Sequence, residues 1–214
     1  MIRSLSWNDL LFFLSALNWT VLLASIACLC GGVLGLGVAL ARVARSQTVR
    51  ALASTYIQIV QGTPVLMLLF LSYYGLSLLG FDLPPMVAAS VSMSIYVSGY
   101  LGDIWRGSIQ SVAKQQWEAS ESLGMTRTQQ YRHVILPQAI KISLPPTVGF
   151  MVQVVKNSSI ASIIGFVELA KAGQLINNVT FQPFAVFLIV AALYFCVCYP
   201  LSHFSRKLER KSHA

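Results

Sequence analysis

The stretch "QQWEASESLGMTRTQQYRHVILPQA", residues 115–139, is a polar island in an oily chain. It gathers two glutamates, two arginines, a histidine and five glutamines around one glycine, Gly124. Residues 117–123 are mostly fair helix formers, and Gly124 sits where a left-handed C-cap stops a helix. Thr126, with Gln129 three residues on, has the spacing of a capping box that starts another. Leu136-Pro137 then ends the polar segment and opens an apolar one. The segment therefore reads as two short helices set at an angle about Gly124. Glu118 supplies a charge, while Ala119 and Ser120 are small enough for another surface to come close. A solvated hairpin and a rigid docking element both fit, and the paired capping signals favour the second.

The surroundings of this island set the class. Of 214 residues, 56% are hydrophobic and 10% charged, and the mean hydropathy is +0.67. Soluble domains run nearer 25% charged, so the composition predicts an all-α integral membrane protein. Residues 10–41, 51–81, 83–102 and 172–205 lack any charged side chain other than histidine, and each can hold a helix long enough to span a bilayer. A weaker candidate, residues 142–155, is broken early by Pro145 and Pro146 and gains length only by reaching back to Leu136 past Lys141. About five spans is the resulting expectation, with the fourth the least secure.

The net charge of +8 follows this topology. Arg42, Arg45 and Arg50 fall between spans one and two. Arg106, Lys114, Arg127, Arg132 and Lys141 fall between spans three and four, and Arg206, Lys207, Arg210 and Lys211 fill the tail. Five spans put all of these on one side, so the positive-inside rule predicts a cytoplasmic tail and polar loop with the N-terminus outside. The charge is thus explained without nucleic acid, and membrane lipid is the expected surrounding. Arg3 and Asp9 precede an apolar run too long for a leader peptide, so the N-terminus reads as an interfacial lead-in.

Catalytic and metal signatures are absent. The sequence has no phosphate-binding G-x-x-x-x-G-K-[ST] loop, no H-E-x-x-H and no G-x-S-x-G. Cys28-x-Cys30 and Cys196-x-Cys198 lie inside spans, where i and i+2 diverge by about 200°; buried apolar filler is the expected role. An integral-membrane enzyme or a membrane scaffold with a docking hairpin remains the alternative class.

Polar detail within the spans marks candidate positions. Gly31 and Gly35 have the spacing that lets helices approach closely. Ser90, Ser94 and Ser98 share one helix face and could line a polar path or bond between helices. Span two is interrupted at Gly62-Thr63-Pro64, where proline frees backbone carbonyls; a kink suffices, but a cavity wall is favoured. Span four ends in Lys156, Asn157, Ser158 and Ser159, a cluster suited to a polar solute. Lys156 could snorkel outward or pair with Glu168. Beyond it, residues 160–178 are mixed in polarity and predict a short helix at the outer surface.

The opening segment resembles the cytoplasmic signature loop of ABC-importer permeases, E-A-A-x3-G-x9-I-x-L-P, through Glu118, Ala119, Ser120, Gly124, Val134, Leu136 and Pro137. Serine replaces the second alanine and valine the isoleucine. Further likeness narrows to the polar amino-acid permeases. "YIQIVQGTP" keeps Tyr56, Gly62, Thr63 and Pro64 of Y-x-E-x-x-R-G-T-P, and "GYLGDIWRG" keeps Tyr100, Arg106 and Gly107 with Asp103 in the acidic place. "VVKNSSIASIIGFVEL" resembles K-[DN]-[TS]-S-L…I-G…E-L.

The resemblance implies one type I transmembrane permease domain over residues 1–214, multi-pass in a bacterial inner membrane, with a coupling loop at about residues 106–136. Its implied partners are an ABC ATPase carrying ATP and Mg, a second permease subunit, an extracytoplasmic solute-binding protein and a polar amino-acid substrate. The chain itself would bind no cofactor and hydrolyse nothing. Coupling would fall to Glu118, Ala119, Ser120, Gly124, Leu136 and Pro137. The substrate path would use Gly62, Thr63, Pro64, Ser94, Asn157, Ser158 and Ser159, and gate or structural charges would be Lys156, Glu168, Asp103 and Arg106. Gln58, Gln61 and Asn157 stand where the group often has charges, which implies a less ionic substrate or a second, different permease supplying the charge.

Overall fold

The computed structural model describes residues 4–212; Arg3 and His213 lie outside them. The described residues form eight helices: α1 (Trp7–Arg42), α2 (Gln47–Gly62), α3 (Val65–Leu78), α4 (Pro85–Gln110), α5 (Lys114–Ser122), α6 (Arg127–Ile164), α7 (Leu169–Thr180) and α8 (Pro183–Ser212). Trp7 to Asp9 belong to the first turn of α1, which Ser6 opens: its backbone N–H donates to Asp9 Oδ2 at 2.8 Å. The predicted lead-in is thus part of the first long helix.

By length and apolarity α1, α6 and α8 can each cross a membrane, and α2 with α3 makes a fourth crossing if the pair is one span. α4 has 26 residues, but the serines on its buried face dilute its hydropathy. It is the central helix, packing against α1, α2, α3 and α6. The core centres on Leu23, Ala27, Met93, Val97, Leu101 and Val154. Tyr96, Tyr100 and Phe150 stack between α4 and α6, with the Tyr100 and Phe150 rings 5.2 Å apart. Outward surfaces stay apolar, with Leu29, Val33, Leu78 and Phe184 all exposed. Such a surface is suited to lipid rather than water.

Small residues set the closest packing. A Cβ added at Gly31 would lie 2.6 Å from Val97 Cβ and 2.8 Å from the Ser94 carbonyl oxygen. The Gly31–Gly35 spacing is therefore a helix–helix contact, as the packing reading of that motif requires. Cys28 and Cys198 join the core, whereas Cys30 and Cys196 are exposed. Of the four cysteines expected as buried filler, Cys198 alone is buried and Cys28 is half-buried.

Two expectations need correction. α6 runs without a break through Pro145 and Pro146, so the fourth candidate is not cut short there. Pro145 is buried, and its carbonyl accepts from Ser205 Oγ of α8 at 2.8 Å, which ties this stretch of α6 to α8. The polar loop's second helix is likewise not short. It continues through one π-wound turn, Gln130–Ile135, in which the Leu136 N–H reaches back to the Tyr131 carbonyl. That wider turn takes in Pro137 without a stop. The short helix expected after span four is α7, beginning beyond the left-handed Gly165. Its buried face packs Leu169, Ala172 and Ile176 on Phe13 and Ala16 of α1 and on Val186 and Val190 of α8.

Candidate functional site

Two groups of predicted residues are assembled at opposite ends of α6. At its start lies the hairpin. α5 ends in a Schellman turn: the Gly124 N–H donates to the Glu121 carbonyl at 2.9 Å and the Met125 N–H to the Ser120 carbonyl at 3.2 Å. This requires Gly124 at φ +69°, a left-handed conformation that favours glycine. Thr126 and Gln129 then form the capping box, with the Thr126 N–H donating to Gln129 Oε1 at 2.8 Å. Beneath the hairpin, Trp117 meets Tyr131 edge to face at 5.2 Å. Below them Ile109, Val112, Ile135 and Ala139 form a small separate core. The hairpin is thus anchored on α4 and α6 by its own apolar base.

Its outer face is exposed at Glu118, Ala119 and Gly124. Glu118 pairs with Lys114 at 3.0 Å, a solvated i,i+4 pair worth about 0.5 kcal/mol or less. Ser120 is buried and donates to the Trp117 carbonyl at 2.8 Å. Leu136 and Pro137 lie at the junction with the long helix, Pro137 exposed. Sequence reasoning passed over Leu123, which is 80% exposed at the hairpin tip. A lone leucine just before the capping glycine of a polar helix was the available signal.

Near the other end of α6 lies the polar cluster. Asn157 accepts from Gln153 Nε2 at 3.0 Å. It borders a gap of only about 10 Å³, shared with Val65 and Leu69 of α3 and Ser92 and Met93 of α4. The break at Gly62, Thr63 and Pro64 leads directly into that contact. The axes of α2 and α3 differ by 101°, far more than a kink. Thr63 is extended, as a residue before proline prefers, and its hydroxyl donates to the Ile59 carbonyl at 2.7 Å.

Other predicted residues are committed locally. Ser158 is buried and donates to the Val155 carbonyl at 2.7 Å; Ser159 donates to the Lys156 carbonyl at 2.8 Å. Ser94 donates to the Ser90 carbonyl at 2.6 Å, while Ser98 bonds to Tyr56 of α2. The serine face thus joins its own backbone and, at Ser98, a neighbouring helix.

The predicted charges do not form one set. Lys156 is exposed. Glu168 is fully buried, accepting from the backbone N–H groups of Ala170 and Lys171 at 2.9 and 2.8 Å and from Tyr194 at 2.7 Å. It is the N-cap of α7 rather than the partner of Lys156. Asp103 and Arg106 pair within α4 at 2.8 Å, and Arg106 also reaches Gln110. Among the described residues no cluster of three or more His, Cys, Asp or Glu could hold a metal.

Comparison with known proteins shows the family and the fold. Residues 31–213 match the family described as binding-protein-dependent transport system inner membrane component. A probable amino-acid ABC transporter permease protein, YckA of Bacillus subtilis (strain 168), is 31% identical over 99% of this chain and 98% of its own length. The probable glutamine ABC transporter permease protein GlnM of the same organism is 37% identical over 89% of this chain and 88% of its own. A crystal structure of an amino acid ABC transporter with histidines superposes with TM-score 0.90 at 34% identity, covering 98% of this chain and all of that one. An inward-facing MetNI methionine ABC transporter shares the fold with TM-score 0.81 at 18% identity, over 97% of this chain and 99% of that one. The chain belongs to the family of inner-membrane components of binding-protein-dependent transport systems.

Proposed function

We propose that this chain is the membrane-spanning subunit of an ATP-driven importer of polar amino acids in a bacterial cytoplasmic membrane. It crosses five times, through α1, the α2–α3 pair, α4, α6 and α8, with the N-terminus outside and the C-terminus in the cytoplasm. The arginines and lysines that cluster at one end support this orientation, and the substrate class rests on the amino-acid and glutamine permeases it resembles. A permease subunit is not itself an enzyme, and ATP with Mg belongs to a separate ATPase. A second permease and an extracytoplasmic solute-binding protein complete the assembly.

One observation carries the reading. A rigid hairpin with an exposed outer face is continuous, through α6, with the residues that border the α2–α3 break. Glu118, Ala119 and Leu123 offer the ATPase a docking face, Gly124 fixes its angle, and Leu136 and Pro137 join it to the long helix. The gap beside Asn157 is far too small for an amino acid, so the path past Gly62–Pro64, Ser94 and Asn157–Ser159 opens by moving α3 away from α6. A substrate biases that movement only through unequal affinity for the closed and open states.

Co-purification in mild detergent with the natural ATPase partner tests the reading. Wild type retains the ATPase at one copy per permease chain, and Glu118→Lys loses it while keeping its helical circular dichroism. Retention by the variant, or no ATPase with folded wild type, removes the hairpin from coupling.

A further inference from the structure

Beside the hairpin base, a groove of about 530 Å³ is lined by Arg42, Arg45, Arg50 and Arg127, together with Trp117 and Tyr131. No acidic side chain lines the groove itself, and Glu121 is the one acid in the adjoining pocket that shares Arg45, Trp117 and Arg127. The four guanidinium groups come from the end of α1, the following turn, the first turn of α2 and the first residue of α6, the hairpin's second helix. Arg50 and Arg127 thus sit at helix N-termini, where the backbone dipole disfavours a cation.

Some of this charge is used internally. Arg50 donates to the Ala44 and Arg45 carbonyls at 2.9 and 2.8 Å, and Arg42 to the Arg50 carbonyl at 3.4 Å. These bonds hold the turn and fix where the charges lie, but carbonyls do not neutralise them. Arg42 Nε is shut off from solvent without a protein acceptor. Arg45 and Arg127 stand exposed at the rim.

We propose that this groove binds the phosphate of an anionic phospholipid headgroup. Its position favours a lipid source: Arg42, Arg45 and Arg50 follow the apolar run of α1, and basic residues beside a span favour the anionic cytoplasmic leaflet. Trp117 and Tyr131 have the amphipathic rings that favour the headgroup level. The volume falls in the range of small-molecule sites, and arginine forks suit phosphate oxygens. Basic pockets between helices at a membrane face are a recognised means of holding acidic lipids.

The test is native mass spectrometry of the full chain in detergent, titrated with phosphatidylglycerol or with phosphatidylcholine of the same acyl chains. Wild type retains phosphatidylglycerol selectively. Arg45→Gln/Arg127→Gln, which spares the two arginines holding the turn, weakens that retention roughly 10- to 30-fold, given the usual contribution of an arginine beside an anionic leaflet. Equal retention of the two lipids by wild type overturns the proposal, whatever the folding of the variant. So does a folded variant that retains phosphatidylglycerol unchanged, or displacement of the lipid by millimolar inorganic phosphate, which makes this a free-anion site. If lipid retention is unchanged and only ATPase co-purification falls, the groove is a protein contact and the proposal fails.

Discussion

Gly31→Ala and Gly37→Ala make an internally controlled pair on α1. At Gly31 the new methyl would lie 2.6 and 2.7 Å from Val97 Cβ and Cγ1 and 2.8 Å from the Ser94 carbonyl oxygen. A backbone atom of α4 is involved, so rotamer change alone cannot relieve the clash and the two helices must separate. At Gly37 no other atom lies within 4 Å of the same methyl. Replacing glycine by alanine in a helix interior stabilises by about 0.5–1 kcal/mol, and that gain is common to both positions. It therefore cancels in the difference, leaving the steric cost of overpacking, about 1–3 kcal/mol. Unfolding of each purified variant in mixed detergent and dodecyl sulfate, followed by circular dichroism, measures the difference. Gly31→Ala should be the less stable by that amount. Equal midpoints with equal slopes would refute the close approach of α1 to α4.

Thr20→Val keeps the side-chain shape but removes the hydroxyl that accepts from the Leu169 N–H at 3.0 Å; with both residues buried, the orphaned donor should cost about 1–3 kcal/mol in the same titration. A change under about 0.3 kcal/mol would show that the α1–α7 hydrogen bond contributes nothing. Gly124→Ala meets no atom, so its whole effect comes from the positive φ, about 1–2 kcal/mol. Gly124→Asn should lose less, and thermal unfolding that fails to separate the two would remove the left-handed cap as their cause.

The hairpin was legible because its signals are local. A glycine C-cap and a Thr-x-x-Gln box each act within five residues, so Gly124, Thr126 and Gln129 could be placed from neighbours alone. The long apolar helices were legible for the same reason, each being a composition rather than a contact. What escaped depends on distant partners. Pro145 forecast an interruption, yet α6 continues there, packed against α8 with Ser205, sixty positions later, bonded to the Pro145 carbonyl. Glu168 and Lys156 were plausible partners by sequence, yet Tyr194 and two backbone N–H groups take the carboxylate. The Gly-Thr-Pro break was evident, but its 101° angle depends on Val65 and Leu69 packing beside α4, which no local rule encodes.

The unbroken course of α6 gives the molecule a lever. From Pro137 to Asn157 a helical rise of 1.5 Å per residue makes an arm of about 30 Å. A π-wound turn, a common site of helix bending, lies at its base. A tilt of about 10° there carries Asn157 sideways by about 5 Å, comparable to the width of a helix turn. Because the arm begins next to the hairpin, a small rotation there becomes a displacement the size of a side chain at Asn157. Midway along the arm Pro145 is tied to α8 through its carbonyl, so α8 is placed to share that stroke.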